Sequence, residues 1–240
     1  IHDIKIIFFY KMCYKKLLIK FICKFVSMDL EEFNIYKRIS EGEGQQLDFK
    51  FAITDSKKIA RSMAAFANSD GGVLLIGVKD NGKIVGIKTE EEYYMIEVAA
   101  LLHCKPPVNY EVLTHTINNK EILEVVIFAS PDELVYTLDE HENMTVYIRY
   151  KDKNCVASNL YIDVWNAKHN NEIVSIDDVI NIKEELNNFS NKNSFTLKEI
   201  QNFLKIDYNE CYEILFKLII LGLVDFTYDD EGEKYKFVNY

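Results

Sequence analysis

Residues 64–87 read AAFANSDGGVLLIGVKDNGKIVGI and predict three successive elements: the end of a helix, a buried strand and a hairpin turn. The helix begins at Asp55 or Ser56, because both residue types are good N-caps. The run VLLIGV is wholly apolar, which is typical of a buried strand. This strand leads into Asn81-Gly82, the residue pair favoured in type I′ turns.

Small residues of this stretch have the properties that a tight helix-to-strand connection needs. Asn68 tolerates a left-handed helix exit, and the pair Gly71-Gly72 lets the chain reverse sharply. Gly77 admits a close approach by neighbouring backbone. We therefore predict structural roles for Asn68, Gly71, Gly72, Gly77 and Gly82.

The flanking sequence adds further strands and helices. The segment LDFKFAI, residues 47–53, alternates apolar and polar residues and predicts a half-buried strand with Phe49 and Phe51 on its apolar side. We also predict a helix at 90–103, a hairpin that turns at Asn118-Asn119 and a strand at 144–150. Strands separated both by helices and by tight turns predict an α/β (α+β) fold with a mixed sheet.

The last third of the chain has a different order of elements. It predicts a helix at 175–189, a helix opened by a capping box of Thr196 and Glu199, a long helix within 207–224, and a hairpin that turns near Glu231-Gly232. This order is typical of a winged helix-turn-helix. We therefore predict a first domain at 28–168 and a small winged helix-turn-helix domain at 172–240.

Residues 1–27 stand apart as a basic, apolar leader. They hold six Lys and one Asp, whereas the whole chain has a net charge of −10, so residues 28–240 carry −15. Met28 resembles an ordinary translation start, and we leave residues 1–27 out of the fold as sequence that could lie upstream of it. The helical spacing of the lysines leaves a basic amphipathic helix open as the alternative.

Composition limits the classes of function. A chain this acidic does not coat nucleic acid by bulk electrostatics, so any such role needs a local site. The five cysteines form no CxxC pair, which argues against a disulfide framework and a zinc knuckle. Lysines interrupt the apolar leader, so no run is long enough for a membrane span. We expect a cytoplasmic protein.

The pattern Glu43-x4-Asp48-Phe49-Lys50, followed by AFAN-x-x-GG-x4-GV-x-D-x-G, resembles the Schlafen AlbA-type domain of bacterial proteins. That family has E-x4-E-F-K at the first position and the same glycine-rich pattern after it. Residues 147–160, YIRYKDKNCVASNL, are similar to the family's closing strand. The resemblance implies an AlbA-type fold, a common C-terminal winged helix, and a nucleic-acid-binding, regulatory function.

The resemblance also implies a possible catalytic set. In family members with endoribonuclease activity, the positions that match Glu43, Asp48 and Asp80 form that set. Three convergent carboxylates suit Mg²⁺ or Mn²⁺, which can activate water against a phosphodiester. A metal-dependent endoribonuclease is therefore the alternative function, although Asp48 replaces the family's Glu. Each of the three acids also has a purely structural interpretation. Glu43 would lie in a solvated loop, Asp48 would be the outward-facing residue of a strand, and Asp80 would be the first residue of a turn.

Binding of DNA or RNA requires local cations. The cations on the helix that begins at Asp55 have a second interpretation, in which they only form a solvated helix face and bind no ligand. The basic candidates are Lys50, Lys57, Lys58, Arg61, Lys79, Lys83 and Arg149. The first four stand at the end of a strand and on the first half of the next helix, where backbone N–H groups also favour phosphate.

Two further expectations concern partners. Proteins of this family often carry an ATP-binding label, but Val78-Lys79-Asp80 stands where a P-loop needs Lys-Ser/Thr, so the sequence does not support ATP binding. Acidic residues, among them Asp207 and Glu210, fill the start of the predicted recognition helix. A homodimer or another protein interface through the winged helix therefore stays open beside DNA contact, and no cofactor other than Mg²⁺ or Mn²⁺ is implied.

Overall fold

The computed structural model describes residues 32–88, 90–175 and 193–238. The leader at 1–27 and nearly all of the helix predicted at 175–189 lie outside these residues. The helices are α1 (32–41), α2 (Ser56–Ala67), α3 (Glu91–Val98), α4 (Asn159–His169), α5 (Leu197–Leu204) and α6 (Tyr208–Ile220), and a π-helical segment, Ala99–His103, continues α3.

Ten strands form three sheets within the described residues. They are β1 (Leu47–Lys50), β2 (Gly72–Ile76), β3 (Cys104–Lys105), β4 (Tyr110–Ile117), β5 (Lys120–Ile127), β6 (Tyr136–Leu138), β7 (Met144–Tyr150), β8 (Lys153–Val156), β9 (Val224–Asp229) and β10 (Gly232–Phe237). The first sheet has the order β1-β2-β5-β4, the second β3-β6-β7-β8, and β9 pairs with β10. The fold is mixed α+β, as predicted.

The first sheet is mixed because β1 and β2 are parallel and every other pair in it is antiparallel. The chain crosses from β1 to β2 through α2, which a parallel connection requires. The β4–β5 hairpin turns at Asn118 and Asn119, whose φ angles of 51° and 59° are the positive values that a type I′ turn needs.

Helix α2 lies at the centre of a buried hydrophobic core. Its side chains Met63, Ala64 and Phe66 are fully buried against strands of the first sheet and the segment that follows α3. The side chain of Asn68, just after the helix, connects α2 to the second sheet through hydrogen bonds to backbone groups of Val135 and Tyr147. Small alanines allow this close helix–sheet packing.

Helix α1 covers the opposite face of the first sheet. Its Ile35 packs with Phe49 and other buried residues of the strands. Because both faces are covered, β1 does not alternate between buried and exposed side chains: Asp48 and Phe49 are both buried. The strand ends at Lys50, and the Phe51 side chain, predicted on the apolar side, is 44% exposed.

Two predicted turns differ in detail from the structure. Asn68 has φ −78°, and the left-handed residue after α2 is Gly71 with φ +70°. At Asn81-Gly82 only the glycine has a positive φ, and the flanking chain forms a single bridge between Val78 and Ile84. A type I′ turn needs two positive φ angles, so this turn is of another kind.

The C-terminal segment packs around α5, α6 and the β9–β10 hairpin. The capping box of Thr196 and Glu199 is present, as predicted. Leu215 and Tyr235 are buried in a core that also includes Leu160 of α4. The winged helix-turn-helix and the boundary between the two domains stay predictions, because the helix at 175–189 lies almost wholly outside the described residues.

The β9–β10 hairpin also packs against the second sheet. The ring centroids of Tyr228 and Tyr150 lie 5.2 Å apart, and the Tyr150 hydroxyl is 2.9 Å from the hydroxyl of Thr227. Phe226 stacks obliquely on Tyr161 of α4, also with 5.2 Å between centroids. Among the described residues, no helix is long and apolar enough to cross a membrane.

Candidate nucleic-acid interface

Glu43 and Asp48, two of the three predicted catalytic carboxylates, lie close together at β1. A Glu43 carboxylate oxygen accepts a hydrogen bond from the backbone N–H of Phe49 at 2.8 Å. Partial burial raises the pKa of Glu43, and the neighbouring Asp48 carboxylate raises it further. The loop before β1 therefore holds the Glu43 side chain against the strand rather than in open solvent.

Asp48 is buried and has cationic partners on both oxygens. One carboxylate oxygen lies 2.5 Å from the Lys50 ammonium, and the other lies 3.5 Å from a guanidinium nitrogen of Arg149. A buried carboxylate needs such compensation. The negative charge of Asp48, which the sequence predicts as a metal ligand, is thus already balanced by Lys50 and Arg149.

Asp80, the third predicted catalytic carboxylate, is exposed in the turn after β2. Within residues 32–88, 90–175 and 193–238, no three His, Cys, Asp or Glu side chains are grouped so that they could hold a metal ion. The structure thus brings together Glu43 and Asp48 but not the full trio. The metal-dependent endoribonuclease stays a prediction.

Replacing Glu43 with Gln is expected to stabilise the protein slightly near neutral pH. The raised pKa means that the folded protein binds this proton more tightly than the unfolded chain does. The contribution of Glu43 to the free energy of unfolding is therefore fully present below its ordinary pKa of 4.5. It is lost as the pH rises through the raised pKa of the folded protein. A glutamine keeps the acceptor for Phe49 and has no charge to lose.

Urea denaturation between about pH 4 and pH 8 measures this effect, with the exposed Glu41→Gln as the matched control. We expect Glu43→Gln to gain less than about 1 kcal/mol relative to wild type on going from acid to neutral pH, since the site is partly solvated. A variant that loses stability relative to wild type on going from acid to neutral pH would show that the charged form of Glu43 is the stabilising one.

Arg149, predicted to bind nucleic acid, is buried and faces inward. Its guanidinium donates hydrogen bonds to the carbonyl oxygens of Gly44 and Leu47 at 3.1 and 3.2 Å and to the side chain of Asn154 at 2.9 Å. It also lies 4.9 Å from the centre of the Phe66 ring. The assignment of Arg149 as a surface contact is corrected: it fixes β7 to the loop before β1.

Two of the cations predicted on α2 have acidic partners across the surface. The Lys57 ammonium lies 3.0 Å from Glu142, and an Arg61 guanidinium nitrogen lies 3.2 Å from Glu140. Arg61 also donates to the carbonyl oxygen of Leu138 at 3.0 Å. These bonds tie α2 to the turn between β6 and β7, so the two cations are less available to phosphate than their sequence pattern indicates. Lys58 is exposed on the same helix.

The remaining predicted cations converge with residues that the sequence did not single out. The ammonium groups of Lys79 and Lys88 lie 5.2 and 5.0 Å from the centre of the exposed Phe51 ring. Lys83 is exposed in the turn that begins at Lys79, whose backbone N–H donates to the Lys83 carbonyl at 3.0 Å. We call this group, Phe51 with Lys79, Lys83 and Lys88, the Phe51 patch.

Backbone contacts hold the Phe51 patch in place. The carbonyl oxygen of Lys50 accepts hydrogen bonds from the backbone N–H groups of Gly77 at 2.8 Å and Val78 at 3.3 Å, so the ends of β1 and β2 are joined. The buried carboxylate of Glu92 accepts the Lys88 backbone N–H at 3.0 Å. The patch therefore lies at the carboxyl ends of the parallel strand pair, the edge at which open α/β sheets commonly bind ligands.

The charges at this edge are not all positive. Asp80 is exposed in the same turn as Lys83 and offsets one of the three lysines of the patch. Lys50 is half-buried and paired with Asp48, so it adds little free charge. The Phe51 patch thus combines an exposed aromatic ring, two lysines close to it and a third lysine in the adjoining turn, on an otherwise acidic protein.

A cleft of about 410 Å³ opens at the other end of β1 and β2. Its walls combine apolar strand residues, among them Leu47 and Val73, with the glycine loop before β1 and the side chain of Arg38. That arginine pairs with the buried carboxylate of Glu124, whose second oxygen lies 2.7 Å from a ring nitrogen of His115. This internal ion pair leaves the cleft without a free cation from Arg38.

At the C-terminal helices, the start of α6 contacts the rest of the chain. The Tyr212 hydroxyl donates to a carboxylate oxygen of Asp163 on α4 at 2.5 Å, whereas Tyr208 is 55% exposed. On the hairpin, Lys234 pairs with Asp229 and Glu231, and Lys153 of β8 pairs with Asp230. These contacts lie within the chain; a homodimer through this region stays a prediction.

The fold and the site define an α+β domain with a mixed sheet and a cationic edge. The family model described as Schlafen, AlbA_2 matches residues 43–158, a little under half of the chain. This match covers Glu43, Asp48, the Phe51 patch and Arg149. It confirms the predicted AlbA-type resemblance for this segment.

Two solved structures are similar to part of the chain. The DIP2311 protein from Corynebacterium diphtheriae is 17% identical with a TM-score of 0.41, and the match covers 55% of this chain and 25% of that one. The N-terminal domain of a RecG-related protein from Nitrosomonas europaea is 19% identical with a TM-score of 0.38, and the match covers 53% of this chain and 95% of that one. The chain thus spans about a quarter of the DIP2311 protein. No curated protein matches it.

Proposed function

We propose that this protein binds nucleic acid through the Phe51 patch and acts as a regulatory binding protein rather than as a nuclease. The observation that carries the proposal is the position of two lysine ammonium groups within 5.2 Å of the centre of an exposed aromatic ring. Lysine supplies the positive charge for phosphate, and the ring supplies a surface for a base. The match to the AlbA_2 family model supports a nucleic-acid-related role.

The net charge of the chain explains why the site must be local. With 38 acidic and 28 basic residues, the protein as a whole repels a polyanion. Phosphate binding then depends on the few cations that are not already paired with carboxylates. Lys79, Lys83 and Lys88 meet this condition better than Lys57 and Arg61, whose ion pairs with Glu142 and Glu140 would have to be broken first.

The balanced charge of Asp48 favours binding over catalysis. A carboxylate that holds a catalytic metal ion needs an oxygen free to coordinate it. Both Asp48 oxygens already face a cation, and Asp80 stands apart in its turn. A binding role requires neither carboxylate.

Replacing Lys79 and Lys88 together with Gln is expected to weaken nucleic-acid binding about tenfold at low salt. The loss follows from two missing phosphate contacts, which should also reduce the slope of log Kd against log salt by about 1–2. Fluorescence anisotropy with labelled RNA and DNA at about 50 and 200 mM salt measures both quantities. The matched control, Lys168→Gln with Lys198→Gln, removes two exposed lysines from α4 and α5.

The control distinguishes a site from a general charge effect. If both double variants weaken binding equally, net charge rather than the Phe51 patch governs affinity. If wild type binds neither RNA nor DNA at low salt, the proposed function is wrong, and an interaction module becomes the better interpretation. If only Lys79→Gln with Lys88→Gln weakens binding, the result supports the Phe51 patch as the binding site.

A further inference from the structure

We infer that the Phe51 patch binds unpaired nucleotides, with the Phe51 ring as a stacking platform for a base, so that the ligand is single-stranded RNA or DNA. This inference rests on the proposed function and specifies its substrate class. It concerns a residue, Phe51, that the sequence pattern placed on the apolar side of a strand.

The first step is the exposure of Phe51. Its side chain is 44% exposed and belongs to none of the hydrophobic clusters that the described residues form. The neighbouring Phe49, two residues earlier, is 2% exposed and packs in the core. Phe51 is thus an aromatic ring that is held at the surface and does little for the core of the described protein.

The second step is the surroundings of the ring. The ammonium groups of Lys79 and Lys88 lie near it, and such exposed cation–π contacts are weak and easily displaced. A base that stacks on the ring would displace an ammonium group, which then lies beside the phosphate of the same or the next nucleotide. Stacking and phosphate contact therefore use the same two lysines without a large rearrangement.

The third step is the backbone that carries these residues. Hydrogen bonds from Gly77 and Val78 to the Lys50 carbonyl fix the chain just before Phe51, and Glu92 fixes Lys88. A platform held in this way loses little conformational freedom when a base binds. This distinguishes the Phe51 patch from a flexible lysine-rich tail.

The geometry selects the kind of nucleic acid. In a duplex, both faces of every internal base are covered by neighbouring base pairs, so an aromatic side chain on a protein surface cannot stack on them. In single strands, loops and ends, bases can turn outward onto aromatic rings. Because every base has a π-face, the platform should tolerate many sequences. Lysine contacts with phosphate alone would not distinguish single strands from duplexes in this way.

The test compares four proteins: wild type, Phe51→Ala, Phe51→Leu and Phe51→Trp. The probes are a labelled single-stranded 20-mer, about the length that several binding sites would cover, made as RNA and as DNA, and the blunt duplex of the same DNA sequence. We expect wild type to prefer the single strands. Phe51→Ala and Phe51→Leu should weaken single-strand binding about tenfold, the loss of one stacked base. Phe51→Trp should retain it.

A direct readout of stacking comes from the tryptophan variant. The chain has one native tryptophan, Trp165, so the fluorescence change of Phe51→Trp relative to wild type reports on position 51. We expect strong quenching on addition of single strands and much weaker quenching on addition of the same molar amount of duplex, in which only the two terminal base pairs have an uncovered face. Since Phe51 is exposed, we expect all three variants to unfold at nearly the wild-type temperature. Unfolding temperatures that agree in this way would show that a loss of affinity for single strands is not due to misfolding.

The outcomes separate this inference from the proposed function. If Lys79→Gln with Lys88→Gln weakens binding but Phe51→Ala and Phe51→Leu do not, the protein binds phosphate without stacking, and only the inference fails. Equal affinity for duplex and single strand, or a leucine that serves as well as tryptophan, also overturns the inference alone. If wild type binds no nucleic acid, both fail. Comparison of the RNA and DNA probes identifies the natural backbone.

Discussion

Replacing Arg149 with Met is expected to lower the free energy of unfolding by about 3–5 kcal/mol, because it leaves buried partners of the guanidinium unpaired. The guanidinium is buried, and its hydrogen bonds reach the carbonyl oxygens of Gly44 and Leu47 and the side chain of Asn154. Methionine fills much of the volume above the Phe66 ring but donates no hydrogen bond. The carbonyl oxygens and the Asp48 carboxylate would then lose a partner inside the protein.

A double-mutant cycle isolates the part of this loss that comes from charge. Asp48→Asn removes the negative charge that lies 3.5 Å from Arg149, so the double variant contains neither ion of this pair, and Lys50 loses its carboxylate partner in both variants that contain Asp48→Asn. We expect the two substitutions together to cost clearly less than the sum of the single costs, because they remove a coupled pair. Urea denaturation followed by circular dichroism gives the four free energies of unfolding that the cycle needs, for wild type, the two single variants and the double variant.

The control for Arg149 is Lys151→Met, two residues later in the β7–β8 turn. That lysine is exposed, and its contact with the Tyr150 ring lies at the surface. We expect it to change stability by no more than about 0.5 kcal/mol. Comparable losses for the two variants would mean that buried hydrogen bonds of Arg149 do not stabilise the protein.

Replacing Asn68 with Ala is expected to cost about 2–4 kcal/mol of stability. The Asn68 amide nitrogen donates to the carbonyl oxygens of Val135 and Tyr147, both at 2.8 Å, and its oxygen accepts from the Val135 N–H at 2.7 Å. Alanine would leave buried backbone groups without partners, and each such group carries a desolvation penalty of about 1–3 kcal/mol. Among the described contacts, no other residue just after α2 joins both Val135, which precedes β6, and Tyr147 of β7 in this way.

The matched control for Asn68 is Asn166→Ala on α4, where the side chain is exposed. Alanine has the higher helix propensity, so this change should be neutral or slightly stabilising. Thermal unfolding of both variants measures the difference, which should appear as several degrees in Tm. An Asn68→Ala protein as stable as Asn166→Ala would show that water replaces the lost hydrogen bonds.

Much of the local structure could be predicted from the sequence because its signals are local. The Asp55 side chain accepts the Lys57 N–H and caps α2, and Thr196 with Glu199 forms the predicted capping box. The paired asparagines at 118–119 turn the β4–β5 hairpin. In each case a few neighbouring residues determine the conformation, so no knowledge of distant contacts is needed.

The site could be predicted only in part, because its geometry depends on distant segments. Lys79 and Lys83 are recognisable as surface cations, but Phe51 appeared to continue the alternation of β1. Its exposure follows from the end of the strand at Lys50, where the chain meets Gly77. Lys88 joins the ring from a loop more than 30 residues later, and no local pattern predicts that contact.

Arg149 is the converse case, because it was predicted at the surface and is buried in the structure. An arginine in a strand of mixed polarity suggests a surface position, since charged residues are rarely fully buried. Here the carbonyl oxygens that accept its hydrogen bonds belong to Gly44 in the loop before β1 and to Leu47 at the start of β1, about 100 residues earlier. The matching acceptors exist only after β7 and the first sheet have come together around α2.

The contact between the β9–β10 hairpin and the second sheet has a consequence for synthesis on the ribosome. Tyr150 and α4 leave the ribosome well before Tyr228, so the aromatic surface that the hairpin covers stays uncovered in the nascent chain. The core of the second sheet is complete only after the hairpin residues 224–237 have been made. A chain cut short before residue 224 would expose Tyr150, Tyr161 and Trp165, the kind of surface by which chaperones and proteases recognise incomplete proteins.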